Sequence, residues 1–355
     1  MKALQECNWK EFHIEELFTV KRGDAGNVSS RQYNKEGIPL ITASESNNGV
    51  YGFTEPQPTE RIFSPTLSIN NNGSVGCTFV HNYAFIATSD VSILAPKMDA
   101  GLYALKFVCP ILQQNCKKYS YGYKISNQRL NRQTILLPVT PDGAPDWQFM
   151  EDYMRAVEKK LLSQTLPILQ TRLKSSNSTQ GVVKINKQNW KEFAITDIFS
   201  IKATQSGIDR NKLVVGDGDT PYITRSDANN GWDSFICEQP KYQRDNGNVL
   251  SVGLDTQTVF YQPCPFYTGQ NIQVFTHSKL NRYVATFIIP LLKIQLQKFN
   301  WGGNGATLGR LKKTTILLPA TFDGTPDWQF MEDYMREIEN RQLQAYIAAK
   351  DMVIR

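Results

Sequence analysis

An eleven-residue segment occurs twice in this chain of 355 residues, and it limits what the chain can fold into. The segment occupies residues 145–155, reading from Pro145 to Arg155, and it returns without change at residues 326–336. Identity at one long period indicates that a single structural unit is built twice. Both halves of the chain therefore need one explanation.

The repeat extends well beyond this segment. Residues 9–20 and 190–201 each predict a short strand, a single helical turn and a second strand. A further predicted strand then leads to Asn-Asn-Gly, at residues 47–49 and again at 229–231. Asn and Gly tolerate positive φ, so this tripeptide favours a tight turn. In both halves more strands, a helix and an Asp-Gly turn then lead into the eleven-residue segment.

A long helix is predicted to begin at each copy of that segment. Asp146 and Asp327 lie at its start, where a carboxylate accepts hydrogen bonds from free backbone amides. Pro167 predicts a kink or an early end in the first helix. Apolar residues recur at steps of three and four, which is typical of packing against a partner helix, so we expect the two helices to pair antiparallel around a pseudo-twofold axis. These residues are Met150, Met154, Val157 and Leu161 in the first helix and Met331, Met335 and Ile338 in the second.

Composition excludes several classes of protein. No run approaches 18 apolar residues, so no membrane span is expected. The six cysteines form no C-x-x-C pair and do not recur at matching positions in the two halves, which predicts reduced thiols in a cytoplasmic protein. The net charge of +6 is compatible with a polyanionic partner and equally with ordinary surface charge.

The sequence predicts no catalytic residue and no metal ligand. It has no phosphate-binding glycine loop, and its three histidines do not have metal-ligand spacing. Asp146 followed by Glu158 and Lys160 matches a loose nuclease pattern, which needs its acids and lysine on a pair of strands. Here all of them fall on one predicted helix, and the second copy has Arg341 in place of the lysine. A structural helix is the favoured interpretation.

What remains is a polar surface that is built twice. Asn and Gln can read adenine, Arg can read guanine, and Lys can hold phosphates. For each residue the alternative is a turn residue or a solvated charge. The candidate DNA contacts in the first half are Lys21, Arg22, Arg31, Ser44, Asn47, Asn48, Asn70, Asn71, Asn72, Tyr121 and Lys124. In the second half they are Lys202, Arg210, Lys212, Arg225, Asn229, Asn230, Gln257, Gln270, Asn271 and Trp301.

These motifs resemble those of a known family, the specificity subunits of type I restriction–modification systems and of type IIB enzymes similar to BcgI. The resemblance covers nearly the whole chain in the family's tandem arrangement. The second half departs from it at the segments equivalent to 73–76 and 87–90. The motifs that carry it are Trp9–Phe12, Ile41–Ser44 with Asn48 and Gly49, Gly73–Gly76, Ala87–Asp90, and Ile135–Pro138 leading to Pro145–Trp147.

The resemblance implies an α+β chain with two tandem target-recognition domains, each a twisted β-sheet with short helices, and each followed by a long helix. It also implies that each domain reads half of a bipartite double-stranded DNA site. The expected segments are a first recognition domain (1–144), a central spacer helix (145–174), a linker (175–188), a second recognition domain (189–325) and a C-terminal spacer helix (326–355).

Catalysis, by the same resemblance, belongs to partner subunits that are methyltransferases or methyltransferase–endonucleases. S-adenosylmethionine and Mg²⁺ are expected there, and no cofactor in this chain. A spacer helix from Asp146 to Lys174 would span about 43 Å, which is about a dozen base pairs. The half-sites are then expected about one helical turn apart. Two other functions stay open from the residues alone: a self-contained DNA endonuclease with an unrecognised site, and a repeat scaffold that binds only protein.

Overall fold

The computed structural model describes residues 3–26, 28–120, 122–176, 185–214, 216–299 and 308–354. The chain divides into two compact units, with the division at Thr165 and Leu166 inside the first long helix. We call residues 3–176 the N-terminal repeat and residues 185–354 the C-terminal repeat. The domain boundaries expected from the sequence stay predictions.

The N-terminal repeat mixes short strands with four helices among its described residues. Its strands are β1 (Trp9–His13), β2 (Phe18–Arg22), β3 (Ile38–Ile41), β4 (Val50–Thr54), β5 (Thr66–Asn70), β6 (Thr78–His81), β7 (Ile86–Ala87), β8 (Val91–Pro96) and β9 (Thr134–Pro138). Its helices are α1 (Ile14–Leu17), α2 (Leu102–Cys116), α3 (Asn127–Asn131) and α4 (Trp147–Ser175).

The C-terminal repeat has the same order of elements. Its strands are β10 (Asn189–Ala194), β11 (Ser200–Ala203), β12 (Thr220–Ile223), β13 (Trp232–Ile236), β14 (Val249–Gly253), β15 (Val259–Gln262), β16 (Tyr267–Thr268), β17 (Ile272–Thr276) and β18 (Thr315–Ala320). Its helices are α5 (Ile195–Ile198), α6 (Arg282–Leu296), α7 (Leu308–Leu311) and α8 (Trp328–Ile354).

Among its described residues, each repeat contains three small sheets with matching topology. In the first they have the strand orders β2-β8-β5-β6, β4-β3-β7 and β1-β9. In the second they are β11-β17-β14-β15, β13-β12-β16 and β10-β18. The pairing is antiparallel except between β3 and β7 and between β12 and β16. The predicted combination of small sheets and long helices in two tandem copies is confirmed.

The main core of each repeat lies between its helices and its larger sheet. In the N-terminal repeat Leu67 and Ile69 of β5 meet Val108 and Leu112 of α2 there. The alternation along the strands and the steps of three and four along the helix place these side chains on facing surfaces. Met150, at the start of α4, completes the core and is fully buried.

The starts of both long helices match the sequence prediction. The Oδ1 atom of Asp146 accepts a hydrogen bond from the Phe149 backbone amide at 2.9 Å. Asp327 accepts one from Phe330 at the same distance. Of the kink or early end predicted at Pro167, the early end does not occur, because α4 runs on through that proline to Ser175. In the second compact unit the Arg172 guanidinium near the end of α4 forms an ion pair with Glu339 of α8, which agrees with contact between the long helices.

The predicted partner-binding stripe needs a correction at its beginning. Met150 and Met331 are fully buried in the cores of their own repeats. Met154 and Met335 are half-buried against the same cores, because the first turns of each long helix cover the sheet and the shorter helix. Further along, Leu161 is 58% exposed. Val157 and Ile338 are half-buried, and their role in partner binding stays a prediction.

No helix in the described part of the chain is both long and apolar enough to cross a bilayer. All six cysteines are free thiols, as the sequence predicted. The predicted linker at 175–188 lies partly outside the described residues, which resume with a 3₁₀ turn at Ile185–Lys187.

Candidate nucleic-acid interface

Three loops meet at one edge of the N-terminal repeat. They follow β3 (residues 42–49), follow β5 (71–77) and precede β8 (88–90), and backbone hydrogen bonds join them. The amide of Thr88 donates to the carbonyl of Ile41 at 3.0 Å, and the amide of Asn71 donates to that of Asp90 at 2.8 Å. We call this set of loops the loop rim.

The C-terminal repeat builds an equivalent loop rim from residues 224–231, 254–258 and 269–271. The amide of Gly269 donates to the carbonyl of Ile223 at 2.8 Å, and the amide of Leu254 donates to that of Asn271 at 3.1 Å. Since the same backbone groups are joined, positions on the two rims can be compared one by one.

The Asn-Asn-Gly turn has the same conformation on both rims. Asn48 has φ 57° and Asn230 has φ 58°, while the following glycine has φ 76° in each turn. The Nδ2 atom of Asn48 donates to the carbonyl of Val80 at 3.3 Å, and that of Asn230 donates to Tyr261 at 3.0 Å. The two side chains therefore tie the turn to the neighbouring strand. Asn47 and Asn229 are exposed on the outside of the turn.

Three candidate contacts of the N-terminal repeat are buried, so the structure assigns them structural roles. The Nδ2 atom of Asn70 donates to the Ser44 carbonyl at 3.0 Å, and Asn71 accepts from the Ser92 hydroxyl at 2.9 Å. The side chain of Arg31 is only 3% exposed and is ion-paired with Glu60. Burial opposes ionisation of Glu60, but the bond from Arg31 holds the pKa of this carboxyl below its ordinary value.

The other candidates are divided between exposed and half-buried positions. Ser44, Asn72 and Gln257 are half-buried, and Gln257 donates to the carbonyl of Phe299 near the end of α6. The guanidinium of Arg22 is held at the rim by a 2.5 Å bond to the Ser89 carbonyl. The exposed residues are Lys21, Arg22, Lys124, Lys202, Arg210, Lys212, Arg225, Gln270 and Asn271.

Tyr121 and Trp301 fall outside the described residues, but the structure forms an aromatic group beside Tyr121 whose members were not among the candidate contacts. The rings of Tyr119 and Tyr123 stack at 5.2 Å, and the Arg129 guanidinium lies 4.4 Å from the Tyr123 ring centre. The helix α3, which follows this loop, borders the rim, because the Ser92 hydroxyl lies within hydrogen-bond distance of both Asn71 and Asn127. The Tyr123 side chain is exposed, and an exposed aromatic ring beside a cation is suited to a contact with nucleic-acid bases.

A buried polar network beneath each turn was also missed. Under the first turn, His81 bonds Ser68 at 2.8 Å through Nε2, and its Nδ1 lies 3.2 Å from the Tyr83 hydroxyl. Under the second, Gln262 takes the place of His81 and donates to Ser251 at 2.9 Å. Burial lowers the pKa of His81 to about 4, so this imidazole is neutral at pH 7. A lone histidine in a strand carried no sequence signal for this role.

We expect H81Q, which copies the residue of the C-terminal repeat, to make the chain less sensitive to acid. A histidine whose folded pKa lies below its unfolded value contributes stability above the unfolded pKa, near 6.5, and loses it as the pH falls toward 4. On acidification from pH 7.5 to pH 5, the free energy of unfolding of wild type should therefore fall by on the order of 2 kcal/mol more than that of H81Q. Urea unfolding of the full chain at both pH values measures this difference.

The matched control is H13Q, which removes an exposed histidine of the same repeat and should behave like wild type. If H81Q and wild type lost equal stability on acidification, the buried imidazole would not be the acid-sensitive group.

The side chains of the rims suit a nucleic acid better than a reaction. Exposed amides lie on both rims, at Asn47 and Asn229. Arg22 is bonded to the first rim and Arg225 lies within the second, and amide and guanidinium groups can contact base edges and phosphates. Among the described residues, no group of three or more His, Cys, Asp or Glu side chains is placed to hold a metal ion. The nuclease-like acids have structural partners instead. Asp146 caps the start of α4, and Glu158 accepts a hydrogen bond from the Tyr103 hydroxyl.

The comparisons with known proteins agree with this geometry. The family model described as "Type I restriction modification DNA specificity domain" matches residues 6–165 and again residues 187–348. The specificity subunit of the type II restriction enzyme BcgI from Heyndrickxia coagulans is 30% identical over 341 residues, which cover 94% of this chain and 95% of that protein. The S subunit of a type I restriction–modification system from M. genitalium shares the fold, with a TM-score of 0.51 at 13% identity over 99% of this chain and 95% of that chain.

The chain therefore belongs to the type I restriction–modification DNA specificity family. It is a specificity subunit with two recognition domains in tandem, and it is a recognition component rather than a catalytic one. The family resemblance that the sequence motifs indicated is confirmed.

Proposed function

We propose that each repeat reads one half of a bipartite double-stranded DNA site through its loop rim. The observation that carries this proposal is that the two rims share a backbone framework and differ in side chains. Thr42 and Thr224, for example, make the same backbone bond to the turn glycine at 2.9 Å, but Ala43 follows the first and Arg225 follows the second. One scaffold with two sets of side chains is suited to two different half-sites.

The long helices supply the separation between the half-sites and the docking surface for partners. α4 contains 29 residues, and at about 1.5 Å per residue it spans roughly 44 Å. Leu161 and Ile168 are seven residues apart on this helix, and both side chains are exposed. The partners proposed are methyltransferase or methyltransferase–endonuclease subunits. They would carry the S-adenosylmethionine and Mg²⁺, in the cytoplasm where the DNA lies.

The test is selection of DNA by the native complex, purified from its host through a tag on the full chain. A library of random duplexes should yield two specified blocks separated by unspecified bases, with centres about one helical turn apart. A single continuous motif would contradict the bipartite proposal.

Two further measurements address the competing functions. The purified chain alone, incubated with plasmid DNA and Mg²⁺, should leave the plasmid intact, and cleavage would support the endonuclease alternative. Binding of DNA by the complex should weaken steeply as salt rises, because phosphate contacts release counterions. A complex that bound no DNA at any salt concentration would favour the protein-binding scaffold.

A further inference from the structure

The two loop rims carry the same pair of residue types in opposite order. In the N-terminal repeat the Nδ2 atom of Asn72 lies 3.4 Å from Oδ1 of Asp90. In the C-terminal repeat the Nδ2 atom of Asn271 lies 3.2 Å from Oδ2 of Asp255. The two rims thus close the same gap between loops with an amide and a carboxylate, but the carboxylate comes from opposite loops.

The equivalence follows from the strand register and does not depend on alignment of the loops. Ser68 pairs with Ile93 in one repeat, and Ser251 pairs with Val274 in the other. Three residues beyond these paired serines, the Asn71 amide donates to the Asp90 carbonyl just as the Leu254 amide donates to the Asn271 carbonyl. The next residues along, Asn72 and Asp255, therefore occupy the same position.

This exchange places a carboxylate where it can hold an arginine. In the C-terminal repeat Asp255 forms an ion pair with Arg225, which is the second residue after the end of β12. In the N-terminal repeat the position of Arg225 is taken by Ala43, and the position of Asp255 is taken by the neutral Asn72. At these two positions the C-terminal rim therefore has both the arginine and the carboxylate that pairs with it, and the N-terminal rim has neither.

A third exchanged position lies beside the arginine. A Cβ atom built on Gly253, the last residue of β14, would lie 2.6 Å from the Thr258 hydroxyl and 3.8 Å, an ordinary contact distance, from Cγ of Arg225. The equivalent residue on β5 is Asn70, whose buried side chain bonds the Ser44 carbonyl. The glycine, the arginine and the aspartate form one arrangement, which we call the arginine clasp.

The arginine clasp orients the guanidinium and leaves it accessible. The side chain of Arg225 is 44% exposed and that of Asp255 is 30% exposed. A guanidinium has five N–H donors, so an ion pair with one carboxylate leaves donors free for a ligand. Two parallel N–H groups of arginine match O6 and N7 of guanine, which is the commonest specific contact in the major groove. Prior orientation reduces the entropy lost when that contact forms.

We propose that Arg225, positioned by Asp255, reads a guanine in the half-site bound by the C-terminal repeat. The N-terminal repeat makes no such contact from the equivalent position, where Ala43 stands. The inference rests on the proposed function of the loop rims as DNA readers. It adds which residue specifies a base, which base it specifies, and in which of the two half-sites.

The test is R225A in the native complex, selected on the same random duplex library as wild type. Wild type should select a guanine at one position of one half-site. In R225A that single position should become degenerate, with discrimination falling roughly 10- to 100-fold, while all other positions keep their preference. R225K keeps the charge without the bidentate fork, so it should lose the preference and retain more affinity than R225A.

The positioning role of Asp255 has its own measurement. D255N should reduce discrimination at the same base position less than R225A does, and it should have no further effect when combined with R225A. The matched control is R244A, since Arg244 has a side chain 45% exposed, lies in the same repeat and is paired with Glu238. It should leave the selected sequence unchanged.

Three results would overturn the inference. R225A with an unaltered motif would show that Arg225 reads no base. A uniform loss of affinity over all sequences, without loss of preference at one position, would show a phosphate contact. Loss of preference in both half-sites would show a structural effect. A wild-type complex that selected no bipartite motif would instead refute the proposed function on which the inference rests.

Discussion

Exchanging residues 190–318 for the equivalent segment of another family member should change one half of the recognised DNA sequence and leave the other half unchanged. This segment runs from β10 to β18, and the two strands pair along their length, with Trp190 opposite Pro319 and Lys191 opposite Leu318. The chain therefore enters and leaves the segment at neighbouring strand ends, so a foreign segment can close on its own sheet. The loop rim lies wholly inside the exchanged part.

The expected loss of affinity for the original half-site is large, because each mismatched base pair costs about 1–3 kcal/mol. Two or three lost base pairs should lower the affinity for the original half-site by roughly 1000-fold. Selection from random duplexes by the complex carrying the exchanged chain measures both halves at once. The control is the reciprocal exchange of residues 9–137, which should change only the other half. If either exchange altered both halves, the two repeats would not read DNA independently.

Substituting Met150 by alanine should destabilise the N-terminal repeat by about 2–4 kcal/mol, since removal of a fully buried side chain leaves a cavity. The same change at Met331 should destabilise the C-terminal repeat to a similar extent. The control is L161A on the exposed part of α4, which should change the free energy of unfolding by less than about 0.5 kcal/mol. Denaturant unfolding of the full chain measures all three.

This comparison also separates the two roles of the long helices. M150A that kept full stability and released the partner subunits would show that Met150 docks a partner, and its assignment to the core would be wrong. The observed burial favours the opposite result, in which stability falls first and any loss of partner follows from unfolding.

Much of the fold could be read from the sequence because the evidence for it is local. The N-cap role of Asp146 and Asp327 depends only on a carboxylate followed by a helix-forming run. The turn at Asn48 and Gly49 depends on residues that tolerate positive φ. Each of these features was then present twice, and agreement between the two copies strengthened every local prediction.

The candidate interface was less predictable, because a residue's type does not report its burial. Asn70 and Asn71 stand in a polar, turn-like segment, but β5 places Asn70 between two neighbouring strands and buries both. Arg31 has the composition of a phosphate contact, but Glu60, 29 positions away, neutralises it in a buried pair. Contacts between distant segments decided these positions, and no local pattern encodes them.

The sequence by itself determined that one unit is built twice, that each unit ends in a long helix, and to which family the motifs belong. These conclusions depend on identity between copies and on patterns within a few residues. Only the tertiary structure decided that Met150 belongs to a core, that His81 lies buried beneath the turn, and that Arg225 is held by Asp255. Those facts depend on which loops the folded sheets bring together, and residues 30 positions apart become neighbours only when the strands between them have paired.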